Sequence, residues 1–184
     1  EFAEAEIAPH ALAWDEAQRF PHELVPRLAG LGLLGIQFPE QYGGAGGSFF
    51  LAVLAVEALS AVDPSVGVLV DVQNTLVANA LLRWGSADLK ARVLPKLAST
   101  SVGAYALSEA GSGSDAFALQ TRAREDGDHY RLDGRKLWIT NAGESSFFIV
   151  FANAAPERGY KGITAFLIER EFPGFTVGKK EDKL

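Results

Sequence analysis

Leu97-Ala98-Ser99-Thr100-Ser101-Val102-Gly103-Ala104-Tyr105-Ala106-Leu107-Ser108-Glu109-Ala110-Gly111-Ser112-Gly113-Ser114-Asp115 is the stretch in which the character of this chain changes. Up to Ser99 the apolar residues recur at helical spacing. From Ser101 they fall into short β-type runs separated by turn residues. Ser99-Thr100-Ser101 therefore reads as a boundary, with a helical unit over 1–100 and a β unit over 101–184. The expected fold is multi-domain α+β: an all-α N-terminal domain followed by a β-sandwich or barrel-like domain.

On the helical side, Leu24, Leu28 and Leu31 mark a helix that Gly30, Gly32 and Gly35 weaken and end. Ser48 can cap a helix whose apolar stripe is Leu51, Leu54, Ala55, Ala58 and Leu59. Asp63-Pro64 opens a long helix through Val66, Val70, Val77 and Leu81, closed by Gly85. Ser86 caps another with Leu89, Val93 and Leu97 on one face, and Pro95 inside it should kink or shorten it. On the β side the expected strands are Val102–Leu107, Ala118–Arg124, His129–Leu132, Lys136–Thr140, Phe147–Ala152, Ile163–Glu169 and Phe175–Val177. Asp126-Gly127-Asp128 and Asp133-Gly134 supply hairpin turn chemistry.

Bulk properties exclude several functions. The 184 residues are 48% hydrophobic, ample for a core. Net charge is −6, so no global field draws the chain to nucleic acid or an anionic membrane. The imbalance is local: residues 1–100 carry 6 basic and 11 acidic groups, residues 101–184 carry 11 and 12, which leaves room for a cationic site in the second half. With no cysteine there is no disulfide or thiolate chemistry. His10, His22 and His129 show no metal-ligand spacing. Phe49–Val56, the most apolar run, falls short of the roughly 20 residues of a membrane span. The absence of methionine and the mid-helix opening Glu1-Phe2-Ala3-Glu4 point to a partial sequence.

Two segments carry potential chemistry. Ala106-Leu107-Ser108-Glu109-Ala110-Gly111-Ser112-Gly113-Ser114-Asp115 runs from a strand into a glycine-serine turn, where backbone N–H groups and hydroxyls can converge on one ligand. A solvent-exposed loop fits the same residues, and pattern alone favours it. No Gly-Lys-Ser/Thr follows, so it is not a Walker loop, and no helix of a βαβ unit follows, so it is not a dinucleotide fingerprint. In Lys136-Leu137-Trp138-Ile139-Thr140-Asn141-Ala142-Gly143, an indole and a hydroxyl two apart would share one face of a strand, a surface suited to a planar, hydrogen-bonding ring. A core tryptophan with a ladder threonine is the plainer alternative. Glu57, Glu109 and Glu144 are each conceivable bases, but lone carboxylates are usually surface or capping groups. Ser112 or Ser114 with Asp115 and His129 makes no hydrolase elbow.

With Phe38-Pro39-Glu40-Gln41-Tyr42-Gly43-Gly44 ahead of them, these segments in this order resemble the acyl-CoA dehydrogenase family. The window Ala106–Ala118 matches the family signature at every restricted position. The resemblance spans the whole chain. Its nearest likeness is to the short/branched-chain type, through Tyr160-Lys161-Gly162-Ile163-Thr164-Ala165-Phe166. Ser112 stands where many members have alanine, a mild departure.

The resemblance implies an N-terminal helical domain, a middle β domain and a C-terminal helical bundle. The last of these, which supplies the glutamate base and most of a tetramer interface, is absent here. It implies FAD as cofactor, contacted by Tyr105, Ala106, Leu107, Ser108, Gly113 and Ser114 and by Trp138, Ile139 and Thr140. Thr140 would lie near the hydride-accepting N5. Ser114 and Tyr160 match acyl-CoA contacts. The implied reaction is α,β-dehydrogenation of an acyl-CoA thioester, with electrons passing to an electron-transferring flavoprotein, in a bacterial cytoplasm or mitochondrial matrix. No catalytic base is assigned, and the chain made alone is expected to be inactive and to hold FAD poorly. An acyl-CoA oxidase using O₂ and a non-catalytic binding scaffold are the alternatives.

Overall fold

A computed structural model describes residues 1–181. Short helices α1 (Phe2–Glu6), α2 (Ala11–Glu16) and α3 (Leu24–Gly30) lead to a 3₁₀ turn at Glu40–Tyr42 and then to α4 (Phe49–Ser60). A continuous 21-residue helix, Pro64–Trp84, follows. It consists of α5 (Pro64–Asp71), a π-helical segment Val72–Ala78 and α6 (Asn79–Trp84). Helix α7 (Ala87–Ser99) completes the helical unit.

Each expected cap is present. The Ser48 hydroxyl accepts from Leu51 N at 3.3 Å and the Ser86 hydroxyl from Leu89 N at 3.2 Å. The Asp63 carboxylate accepts from Ser65 N at 2.8 Å, satisfying a donor that the first helical turn leaves without a partner. Helix α7 runs four residues past Pro95 without being shortened. Pro95 sits on its exposed side, where water can reach the carbonyl that loses its amide partner.

Helix α4 departs from the expected face. Its buried residues are Ala52 and Leu59, with Ala55 and Val56 partly buried, whereas Leu51 and Leu54 are exposed. Apart from Glu57 and Ser60 the helix is apolar all the way round, so periodicity offers almost no polar side to orient against. By length and mean hydropathy (1.3) the Pro64–Trp84 helix would suit a membrane span, yet it is the core helix here, with 56% of its apolar window buried inside the protein. The fully buried Gln73 and Asn74 lie within it.

The β unit is a five-stranded mixed sheet: β1 (Gly103–Ala106), β2 (Arg122–Asp126), β3 (His129–Asp133), β4 (Phe147–Asn153) and β5 (Ile163–Glu169). Strand β4 is central. It pairs in parallel with β1 (Gly103 opposite Phe147) and, at its end, with β2, and antiparallel with β5 along its whole length. Strands β2 and β3 form the hairpin expected around Gly127, which has φ +69°. Lys136–Thr140 and Phe175–Val177 are not strands.

Side-chain alternation along β1 and β4 divides the core. Phe147 and Ile149 join Phe38, Val72, Val77, Leu81, Val93, Leu94 and Leu97 in a cluster that welds helices to sheet. Phe148 and Val150 cluster with Ala104 and Ala106 on the opposite face. Tyr105 packs against the helix-facing cluster, so β1 turns that side chain towards the π-helical segment.

Candidate functional site

The end of β1, the loop after it and the segment around Trp138 converge on the π-helical segment. Tyr105, Leu107, Ser108, Trp138, Ile139 and Thr140 line one open cavity of about 310 Å³, with Val72 and Leu76 as the helical wall. All but the last two are residues singled out from sequence. Ser108 and Thr140 contribute hydroxyls that make no hydrogen bond among the described residues. The Trp138 indole is 72% exposed at the rim.

The segment carrying Trp138 is a loop, which corrects the expectation that Trp138 and Thr140 share a strand face. Trp138 has φ +58° and Asn141 φ +65°. Two left-handed residues so close together end any extended run. A single backbone bond, Leu137 N to Ser108 O at 2.9 Å, ties this loop to the first segment before the chain coils through Asn141–Ser145. Ser145 Oγ donates to Asn141 O at 2.8 Å, and Arg170 donates to Ser145 O and Ala142 O, fixing the coil from below. The loop thus presents indole, aliphatic and hydroxyl groups in succession, which a flat strand would have split between two faces.

The remaining expected contacts lie elsewhere. Ala106 is buried in the cluster on the far face of β1 and is not part of the cavity lining. Gly113 and Ser114 are exposed on the turn, outside the cavity lining. That turn is firmly built. Glu109 and Ser112 exchange backbone bonds at 3.0 and 3.1 Å, and the buried Ser112 hydroxyl donates to Asp115 O at 2.9 Å. Tyr160 is brought beside the turn by Phe117, three residues after Ser114; the two rings lie 5.1 Å apart and are 58% and 68% exposed. Phe117 was invisible in the sequence because a lone exposed aromatic has no pattern.

Among the carboxylates considered as bases, Glu57 is exposed on α4, and Glu144 lies 3.0 Å from His22 Nε2 at a separate cavity of about 240 Å³ between Val25, Thr100 and Ser146. Glu109 is ion-paired to Lys136 at 2.7 Å, the side chains only 8% and 9% exposed. Burial pushes the Glu109 carboxyl up, but hydrogen bonds from Lys136, from the Thr121 hydroxyl and from the Gln120 and Thr121 amides outweigh it and hold it down at about 2. Burial in turn draws the Lys136 ammonium below its ordinary value, with Glu109 opposing. A carboxylate so acidic and so fully engaged is a poor proton acceptor.

Polar groups deeper down position the cavity. Gln73, fully buried in the π-helical segment, donates to Leu97 O (2.7 Å) and Ser101 O (3.0 Å) and accepts from Gly103 N (2.9 Å). It fixes the end of α7 and the first residue of β1 against the helix. Asn74 beside it accepts from Ile36 N and donates to Leu33 O and Val70 O. A π-helical turn places these neighbours on one buried side while leaving Val72 and Leu76 at the cavity.

Family models for the acyl-CoA dehydrogenase N-terminal domain and middle domain match residues 1–101 and 104–184. The chain is 48% identical to a probable short/branched chain specific acyl-CoA dehydrogenase of Dictyostelium discoideum, covering 100% of this chain and 45% of that protein. Among solved structures it is similar to butyryl-CoA dehydrogenase from Megasphaera elsdenii, with TM-score 0.94 and 39% identity over 99% of this chain and 49% of that one. It is also similar to a glutaryl-CoA dehydrogenase from Mycobacterium smegmatis in complex with FADH2, with TM-score 0.90 and 34% identity over 100% of this chain and 46% of that one. The chain therefore spans about half the length of these relatives, and over that span it belongs to the acyl-CoA dehydrogenase family.

Proposed function

We propose that this chain forms the flavin-facing and part of the acyl-CoA-facing wall of an enzyme that removes two hydrogens across the α,β bond of an acyl-CoA thioester. The observation that carries the reading is the convergence of Tyr105, Leu107, Ser108, Trp138, Ile139 and Thr140 on one cavity. Its lining suits FAD. An exposed indole and an aliphatic wall offer a surface for a planar ring, and two unengaged hydroxyls can serve the ring's polar edge. When bound there, FAD supplies the two-electron acceptor that no amino-acid side chain provides.

The chain's own residues do the rest. Val72, Leu76, Tyr105 and Leu107 keep water from one side of the cavity, which strengthens every polar contact inside it. Ser108 and Thr140 donate hydrogen bonds that set orientation, since dehydrogenation depends above all on holding the reacting bond in line. Ser114 and the Phe117–Tyr160 pair are assigned to the CoA portion of the substrate. The proton-abstracting base is assigned to none of the described carboxylates. Electrons are proposed to pass to an electron-transferring flavoprotein, and the complete protein to act as a homotetramer.

The complete protein should be purified and its visible flavin spectrum followed without oxygen as short and branched acyl-CoAs are added. Bleaching is expected, and Thr140→Ala should slow it. Bleaching followed by peroxide formation on admitting air would move the reading to an oxidase. A protein that takes up no FAD would refute it.

A further inference from the structure

The two cavity-forming segments share no strand pairing, yet their spacing decides whether a ring fits between them. They are joined over three consecutive residues on one side and two on the other. Lys136 Nζ donates to Leu107 O at 3.0 Å and to Glu109 Oε1 at 2.7 Å, and Leu137 N donates to Ser108 O at 2.9 Å. Glu109 then closes the glycine-serine turn on itself by accepting from Gln120 N at 2.6 Å, from Thr121 N at 3.1 Å and from the Thr121 hydroxyl. One carboxylate therefore ties together the start of the turn, its end and the Trp138 loop.

We infer that Glu109 and Lys136 are positioning residues for the cofactor site, acting as a strut that holds the Leu107–Ser108 and Trp138–Thr140 segments at the separation a flavin requires. The inference rests on the reading of the cavity as an FAD site. A buried ion pair contributes little net stability compared with an apolar pair of the same shape. Geometry is what this one adds: Lys136 stands two residues before Trp138 and reaches the carbonyl of Leu107, both of them cavity residues. Neither Glu109 nor Lys136 lines the cavity itself, so their effect is exerted through the lining residues they hold.

The test uses the complete protein as Glu109→Gln, Lys136→Met, the double variant and Glu109→Asp. FAD affinity is read by flavin fluorescence titration, stability by Tm, and loop spacing by hydrogen exchange of the Leu137 amide. Each single change to Gln or Met should lower both Tm and FAD affinity, because it leaves a buried charge without its partner. The double variant should recover most of the Tm while FAD affinity stays roughly tenfold or more below wild type and Leu137 exchanges faster. FAD affinity recovering together with Tm would show a purely structural pair and overturn the inference. Should the double variant fail to fold, Glu109→Asp decides, since it keeps the charge and shortens the strut by one methylene. Wild-type FAD affinity and Leu137 exchange in that variant would also overturn it. If the wild type itself binds no FAD, the function proposal falls, and unchanged Leu137 exchange in Lys136→Met would separately overturn the strut.

Discussion

Replacing Gln73 by leucine tests how the helical unit fixes the first strand of the cavity. The side chain is fully buried and serves three backbone groups: the carbonyls of Leu97 and Ser101 and the amide of Gly103. Leucine of similar volume would leave all three without a partner, at about 1–3 kcal/mol each. Burying the extra apolar surface offsets about 1–2 kcal/mol. The net loss is about 1–8 kcal/mol, centred on about 4.5 kcal/mol, which for a chain of this size lowers Tm by roughly 9–18 °C at the centre of that range. Differential scanning calorimetry at neutral pH measures it directly. FAD affinity should fall as well, because Gly103 stands two residues before Tyr105 on β1. Gln73→Glu should be no better, since it keeps an acceptor for Gly103 N but turns a carboxylate towards two carbonyl oxygens. A Tm drop below about 3 °C for Gln73→Leu would refute the reasoning that these three bonds anchor β1.

Three further expectations follow from particular contacts. Gly103→Ala would place a Cβ 2.6 Å from Val77 Cγ1, an overpacking cost of about 1–3 kcal/mol; adding Val77→Ala should recover part of it, and additive losses in a double-mutant cycle would contradict the clash. Asp63→Ala removes the cap that accepts from Ser65 N and Val66 N and should cost about 1 kcal/mol in urea denaturation, where no change in the midpoint would show the cap to be idle. Glu109 is held at about 2, below its ordinary 4.5, so its stabilisation is complete above about pH 4.5 and is lost as pH falls through about 2. Wild type should therefore lose Tm more steeply than Glu109→Gln below pH 4.5, and parallel curves would remove the carboxylate's role.

Local chemistry was legible where a residue acts on its immediate neighbours. The caps at Ser48, Asp63 and Ser86 follow from a hydroxyl or carboxylate three or fewer residues from its amide. Strand β5 has the expected span, Ile163–Glu169. The cavity residues around Leu107 and Trp138 were found by resemblance, and the structure brings six of them together. What could not be read depends on distant partners. Lys136 and Glu109 are 27 residues apart, and neither carries a mark of the other. The left-handed Trp138 breaks what composition presents as a strand. The buried side of α4 is chosen by what packs on it, since its own sequence is apolar except at Glu57 and Ser60.

The π-helical segment has a consequence for how this chain tolerates insertions and deletions. Each of its turns holds more residues than an α-turn, so it works as a reservoir of excess length inside the Pro64–Trp84 helix. Removing one residue within Val72–Ala78 would let the helix relax to regular geometry without breaking. Because the wide turn already absorbs the surplus residue, everything downstream would keep nearly its present facing, leaving Leu81 in the core it shares with β4. A single-codon deletion here is thus expected to spare both helicity and interface, whereas the same deletion in the Gly43–Gly47 loop would break the bonds that the Ala45, Gly46 and Gly47 amides make to the Gly35, Phe38 and Ile36 carbonyls.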